Sequence, residues 1–289
     1  MILQVSPPTP PLPPLKLLLR SPTPTSTTTV ANPGLRFREK LHFLEHSLRV
    51  DPLSALSLNP SLRSAPLSSL LSLTSYLSSS FGLSPLDSGR VFRMYPHLLT
   101  CPDPDRTLTP VLHFLLGPAD IPFPDLRRSV LRCPRLLVSS VDDQLAPALL
   151  FLRRLGFRSL SSQTALLLVS SVERTLLPKV RYLQSLGLSH RDTVRMVLRS
   201  PALLTFSIEN NFKPKVEFLV GGMGRGVREV EAFPHYFSFS LERRIRPRHR
   251  LLVEGGAEGM SLAEMLKPSD GEFREKLLGI KLSIVGEEP

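Results

Sequence analysis

SVDDQLAP at Ser140–Pro147, SVERTLLP at Ser171–Pro178, SIENNFKP at Ser207–Pro214 and SLERRIRP at Ser240–Pro247 are four versions of one phrase. Each opens with Ser, an apolar residue and an acid. Each then has an apolar residue (Leu145, Leu176, Phe212, Ile245) and closes on Pro, seven positions from the Ser. Similarity recurring at a period in the thirties is the mark of stacked supersecondary units.

A second shared piece stands before each Ser. It reads Pro134-Arg135-Leu136-Leu137, Ala165-Leu166-Leu167-Leu168, Pro201-Ala202-Leu203-Leu204 and Pro234-His235-Tyr236-Phe237. Nine residues after the closing Pro comes Gly156, Gly187 or Gly256, and in the third copy Gly222 and Gly224 flank that position. Two earlier copies exist. Pro96-His97-Leu98-Leu99 leads to Pro110, and Pro60-Ser61-Leu62 leads to Leu73 in place of Pro and then to Gly82. The leading positions 60, 96, 134, 165, 201 and 234 are spaced 36, 38, 31, 36 and 33.

The physics of one unit follows from these residues. Ser140, Ser171, Ser207 and Ser240 are natural N-caps, accepting from the free N–H groups of a first turn. Asp142, Glu173, Glu209 and Glu242 put a carboxylate in that turn, where the helix dipole favours it. The Gly supplies the positive φ that ends a helix. This predicts a helix of about 15 residues, roughly 22 Å long, kinked or restarted at the Pro of its second turn. A second helix follows the Gly. Ser84-Pro85-Leu86-Asp87 has an N-cap, Pro at N1 and an acid at N3, and Ser189-His190-Arg191-Asp192 repeats the Ser-x-x-Asp form. It ends at the next Pro-x-Leu-Leu, because the residue before Pro avoids the helical region. Leu at i, i+3 and i+4 cannot be covered within one unit. The expected fold is all-α, a right- or left-handed α-solenoid of about six paired-helix repeats.

Before the repeats, residues 1–34 are rich in Ser, Thr and Pro, and the first acid of the chain is Glu39. Such a stretch cannot offset its ordering entropy by burial. Its apolar run, Leu15 to Leu19, is too short for a bilayer span or a secretory signal. The acid-free, Ser-rich composition fits an organelle transit peptide, with little Arg and much Thr and Pro favouring the chloroplast over the mitochondrion. The expected organisation is a transit peptide over 1–34, a repeat array over 35–282 and a disordered tail over 283–289. No membrane span is expected, since Arg interrupts every later Leu run. The two cysteines, Cys101 and Cys133, each precede a Pro and read as small buried thiols.

The formal charge is +11. Residues 1–38 carry +4 and residues 253–289 carry −4, so the body between them holds the whole excess. A basic body favours a polyanionic partner, and Lys and Arg would meet the phosphates. The densest cluster is Arg243, Arg244, Arg246, Arg248 and Arg250 with His249. Lys179 and Arg181 follow Pro178, and Lys213 and Lys215 flank Pro214. Lys179, Lys215 and Arg248 each directly follow the repeat Pro, so a solenoid lines them up, and one basic stripe is predicted. Arg153 and Arg154 lie further along the same kind of helix. Arg195 and Arg199 share a face of the other kind with Arg191, and Arg127, Arg128, Arg132 and Arg135 form a comparable set. The aromatic residues Phe151, Tyr182, Phe206, Phe212 and Phe218 fall on apolar repeat positions. They are read as core, which favours a duplex or structured nucleic acid over a stacked single strand.

The units in which Pro147 goes with Phe151-Leu152 and Gly156, Pro178 with Tyr182-Leu183 and Gly187, and Pro214 with Phe218-Leu219 resemble those of the mitochondrial transcription termination factor (mTERF) family. The ending Ser261-Leu262, Met265-Leu266, Ser269-Asp270 and Phe273 is similar to the close of plant members. The resemblance covers about residues 40–275. It implies a superhelical array holding nucleic acid in a basic groove. In plants it implies work in chloroplasts or mitochondria, in transcription, termination or RNA maturation. The chain departs from the pattern in its shortness and in one unit without its leading Pro.

No P-loop, dinucleotide fingerprint or zinc signature is present. The Gly221–Gly226 run follows a helix and reads as a loose cap and loop. His42 and His46 lie one turn apart with no third ligand in view and read as a surface pair. The expected protein is a non-catalytic monomer without a cofactor that binds double-stranded DNA in chloroplast transcription termination or regulation. An RNA-binding role in intron splicing or rRNA maturation is one alternative, and a scaffold for organellar protein partners is another.

Overall fold

The computed structural model describes residues 33–101 and 103–286, so most of the expected transit peptide and the last residues of the expected tail lie outside the described residues. The described chain is built of α-helices joined by short 3-10 and π turns, with no strand among the described residues.

Each Pro-x-Leu-Leu piece forms a 3-10 turn, as at Pro96–Thr100, Pro134–Val138, Ala165–Val169, Pro201–Thr205 and Pro234–Ser238. The apolar pair of each turn (Leu136 and Leu137, Leu203 and Leu204, Tyr236 and Phe237) is buried. The cap Ser follows. Ser140, Ser171, Ser207 and Ser240 accept at Oγ from the N–H three residues on, at 3.1, 3.2, 3.1 and 3.2 Å.

In each of the last four units the first helix then opens with one π turn, whereas Leu67–Phe81 and Pro104–Leu116 of the earlier units are α throughout. Val141–Leu145 runs into Ala146–Arg154, Val172–Leu176 into Leu177–Ser185, Ile208–Phe212 into Lys213–Glu217, and Leu241–Ile245 into Arg246–Glu254. The repeat Pro is the second residue of every one of these α segments. This explains the π turn. A proline ring collides with the carbonyl four residues back and offers no N–H. One wider turn lets the residue two before Pro bond five residues back instead, as Leu145 does to Ser140 O at 3.0 Å and Ile245 to Ser240 O at 3.0 Å. The proline thus restarts the helix without breaking it.

Gly82, Gly156, Gly187 and Gly256 end first helices with φ of 64°, 95°, 88° and 65°, and Gly224, not Gly222, takes that place in the Pro201 unit. The second helices are Pro85–Met94, Phe123–Arg132, His190–Arg199 and Arg228–Ala232. Ser84 and Asp87 form a reciprocal capping box. The Pro134 unit departs from the expected pattern. Residues 157–164 hold no helix and close on themselves, with Ser161 N donating to Thr164 Oγ1 at 2.9 Å. This is why that unit spans only 31 residues. At the C-terminus, helix Asp270–Gly286 continues past the boundary expected at 282.

The units share one core. Five and twelve residues after the cap Ser stand Leu145 and Leu152, Leu176 and Leu183, Phe212 and Leu219, and Ile245 and Leu252, all fully buried. Rings tie successive units together: Phe212 stacks on Tyr182 of the unit before (5.7 Å) and meets Phe237 of the unit after edge-on (4.9 Å). Contacts between elements join each unit to itself and its near neighbours, as in a solenoid.

Gly187 needs its left-handed backbone, whereas Gly221 has an ordinary one and open space at its Cβ position. Gly187→Ala is expected to lower unfolding free energy by about 1 kcal/mol, and Gly221→Ala to leave it unchanged or raise it slightly. Urea unfolding of both variants checks the contrast.

Candidate nucleic-acid interface

The expected stripe divides into side chains that hold the units together and side chains that face solvent. Lys179, Lys215 and Arg248 belong to the first group, so for these three the expectation of a surface stripe is corrected. All three are buried. Lys179 Nζ donates to Leu204 O at 2.6 Å, Lys215 Nζ to Phe237 O at 2.6 Å, and Arg248 Nη1 to Met265 O at 2.7 Å. Arg248 also meets the Asp270 carboxylate and covers the Phe273 ring at 4.7 Å. Leu204 and Phe237 are the last residues of the next unit's Pro-x-Leu-Leu, so each lysine bridges two units. Lys40 does the same near the N-terminus, donating to Leu62 O, Arg63 O and Ala65 O at 2.7, 2.9 and 2.7 Å.

The physical reason is helical position. Residues five, eight and twelve after the cap Ser share one face, and the first and last of these are core. Ala148, the residue eight after Ser140, is fully buried. There the bridging falls to Gln144, whose Nε2 donates to Leu168 O at 3.3 Å. Asn211 and Arg244, at the place of Gln144, likewise reach across, to Phe237 O at 3.2 Å and Pro268 O at 2.5 Å. Burial pulls the pKa of Lys40 and Lys179 down, and that of Lys215 to about 8.

Two further expected residues are engaged with backbone. Arg153 donates to Phe157 O (3.3 Å) and Pro118 O (3.4 Å), and Arg199 donates to Ala232 O (3.4 Å) and to Glu231 O. Arg132 meets Ser162 O at 3.3 Å, and Arg127 pairs with Asp87.

The remaining expected residues face solvent. Lys213 pairs with Glu209 at 2.7 Å, Arg246 with Glu242 at 3.0 Å and Arg195 with Asp192 at 2.7 Å, each within one turn of its own helix. Exposed pairs of this kind hold by only about 0.3–0.5 kcal/mol, so a phosphate can displace the carboxylate. Arg154, Arg181, Arg243 and Arg250 are exposed and make no ion pair or side-chain hydrogen bond among the described residues.

The outer face of the first helices emerges from this sorting. Three and ten residues after the cap Ser stand Arg174 and Arg181, Asn210 and Glu217, and Arg243 and Arg250, all exposed. Lys213 and Arg246 add a cation six after the Ser. Tyr182 stacks on the Phe212 ring of the next unit at 5.7 Å, and Arg246 lies 4.6 Å above the Phe218 ring of the unit before, so these helices run side by side. Arg174 was not among the expected residues, although its equivalence to Arg243 carried the signal. The repeat aromatics are packed inward: Phe212, Tyr236 and Phe237 are buried, and Tyr182 and Phe218 half-buried.

Other groups offer little chemistry. His42 and His46 stack at 4.1 Å. No group of three potential metal ligands occurs among the described residues. Cys101 is buried, and burial pushes the half-buried Cys133 thiol up. No helix among the described residues is long and apolar enough to cross a membrane. Compared with known families, residues 130–274 match mTERF.

Lys215→Met is expected to cost about 1–3 kcal/mol by weakening the satisfaction of Phe237 O, while nucleic-acid affinity stays within about twofold. The pH dependence is specific. Between about 8 and 10.5 the unfolded chain keeps a proton that the folded Lys215 has released, so wild-type stability rises with pH in that window relative to the variant. Urea unfolding of both proteins at pH 7, 8, 9 and 10 should show the gap widening.

Proposed function

The chain belongs to the mTERF family, whose members are nucleic-acid-binding regulators of organellar transcription, and we propose that it regulates or terminates chloroplast transcription by binding double-stranded DNA across the first helices of its last three repeats. The observation that carries this reading is the outer face of those helices. Arg174 and Arg243 stand three, Lys213 and Arg246 six, and Arg181 and Arg250 ten residues after their cap Ser, all exposed, with Asn210 and Glu217 at the outer places of the middle helix. Cations on neighbouring packed helices, about 8–10 Å apart, suit a phosphate backbone, which Lys and Arg meet without reading bases.

Inward packing of the aromatics favours a duplex over single-stranded RNA, which is usually gripped by exposed rings. Structured RNA presents phosphates as well, and splicing or rRNA maturation is the reading that tight binding to it would favour. The leader composition supports the chloroplast. Fusing residues 1–34 to a fluorescent protein should light chloroplasts, and mitochondrial fluorescence would reverse the assignment.

The interface is tested by anisotropy titrations of the full chain against duplex DNA, structured RNA and single-stranded RNA over a salt series. Wild-type affinity should fall steeply with salt. The triple variant Arg181→Ala, Arg243→Ala, Arg250→Ala should bind duplex at least tenfold more weakly, with a slope reduced by about 0.9 per lost contact. Unchanged affinity in the triple variant would remove this face from the account.

A further inference from the structure

The layer of second helices has a gap. Pro85–Met94 packs on Phe123–Arg132, and His190–Arg199 on Arg228–Ala232. The Pro134 unit contributes no second helix, and turns over residues 157–164 stand in its place. Where consecutive second helices do meet, one ion pair recurs. Asp87, at the third position of its helix, takes Arg127 of the next helix, and Asp192, at the same position, takes Arg228 at 3.5 Å.

Arg195 stands six residues before the next leading Pro, the place of Arg228 and one residue from that of Arg127. It is therefore the residue placed to reach a carboxylate on the helix that is missing. With none there, it turns back to Asp192 of its own helix, at 2.7 Å. Arg191 and Arg154 lie beside it, exposed and making no ion pair. Between these cations runs a groove of about 480 Å³ with an apolar floor of Leu155, Val194 and Leu198 and no acid in its lining. Leu198 is 39% exposed.

We propose that this slot docks a helix of a partner protein, amphipathic in pattern and carrying a carboxylate in its first turn. The apolar floor takes the partner's apolar stripe, as helix grooves do. Arg195 and Arg191 take the carboxylate, repeating the pair made by Asp87 with Arg127. Residues 1–34 of this chain have no acid to offer, and a phosphate backbone has no apolar stripe to lay on Leu155, Val194 and Leu198. A helix from a second protein satisfies both halves of the site.

The test uses the full chain and a labelled, hydrocarbon-stapled helical peptide that begins Ser-Pro-Leu-Asp, has leucines at helical spacing and carries glutamates elsewhere. Saturable binding is expected in an anisotropy titration. It should weaken at least tenfold in the double variant Arg191→Glu, Arg195→Glu, whose altered side chains are exposed. A charge-swapped peptide with lysines for its acids should bind the double variant and not the wild type. Absence of saturable binding to the wild type, or equal binding to the double variant, would overturn the proposal. So would a double variant that keeps peptide binding but loses duplex DNA, since the slot would then be nucleic-acid surface.

Discussion

A buried cation one residue past the repeat proline, which Lys179 and Lys215 anchor on the last carbonyl of the next unit's Pro-x-Leu-Leu and Arg248 on Met265 O, sets how one unit sits on its neighbour. A short 3-10 turn leaves carbonyls at its end without helical partners. The apolar pair of the turn pulls those carbonyls out of water, where an unmet acceptor costs about 1–3 kcal/mol. The backbone donors of the neighbouring unit are committed to its own helices, so only a long side chain can answer. Lys179 and Lys215 do so with one hydrogen bond each, and Lys40 with three. Arg248 uses its planar fork for a carbonyl and the Asp270 carboxylate together, which a lysine cannot match. The cost shows in the lowered pKa of the lysines, which burial forces on any ammonium taken from water.

Much of the fold was legible in the residues because each signal is local. The cap Ser, the acid beside it and the closing Gly specify a helix and both its ends without reference to the rest of the chain. The response to the proline was not legible in detail, because whether a helix kinks, breaks or widens by one π turn depends on the carbonyl behind the ring. The missing second helix left a trace in the 31-residue spacing, but spacing does not say which element is lost. The candidate site was read less well. Lys179, Lys215 and Arg248 read as surface residues by charge alone, whereas their repeat position turns them inward. Ala148 at the same repeat position already marked that place as inward, one turn from Leu145 and one from Leu152. A long aliphatic stem passes through such a face and carries its charge to the far side.

Two demands are therefore made on the basic excess of the body. Part of it is structural, set against carbonyls and against the Asp87 and Asp192 carboxylates, and cannot be offered to a ligand without loosening the stack. The rest sits on the outer faces of the first helices and on the His190–Arg199 helix, where partners are weak or lacking. The sorting is by helical position: inward at eight after the cap Ser, outward at three, six and ten. A charge count over the whole surface would overstate the binding face, and a single substitution of a buried cation would mimic loss of function through loss of stability.

Lysine acetylation footprinting of the full chain, free and bound to duplex DNA, tests this division most directly. The account predicts that Lys213 is modified in the free chain and protected by duplex, while Lys179 and Lys215 stay unmodified in both states. Modification of Lys179 or Lys215 in the free chain, with protection by duplex, would contradict it.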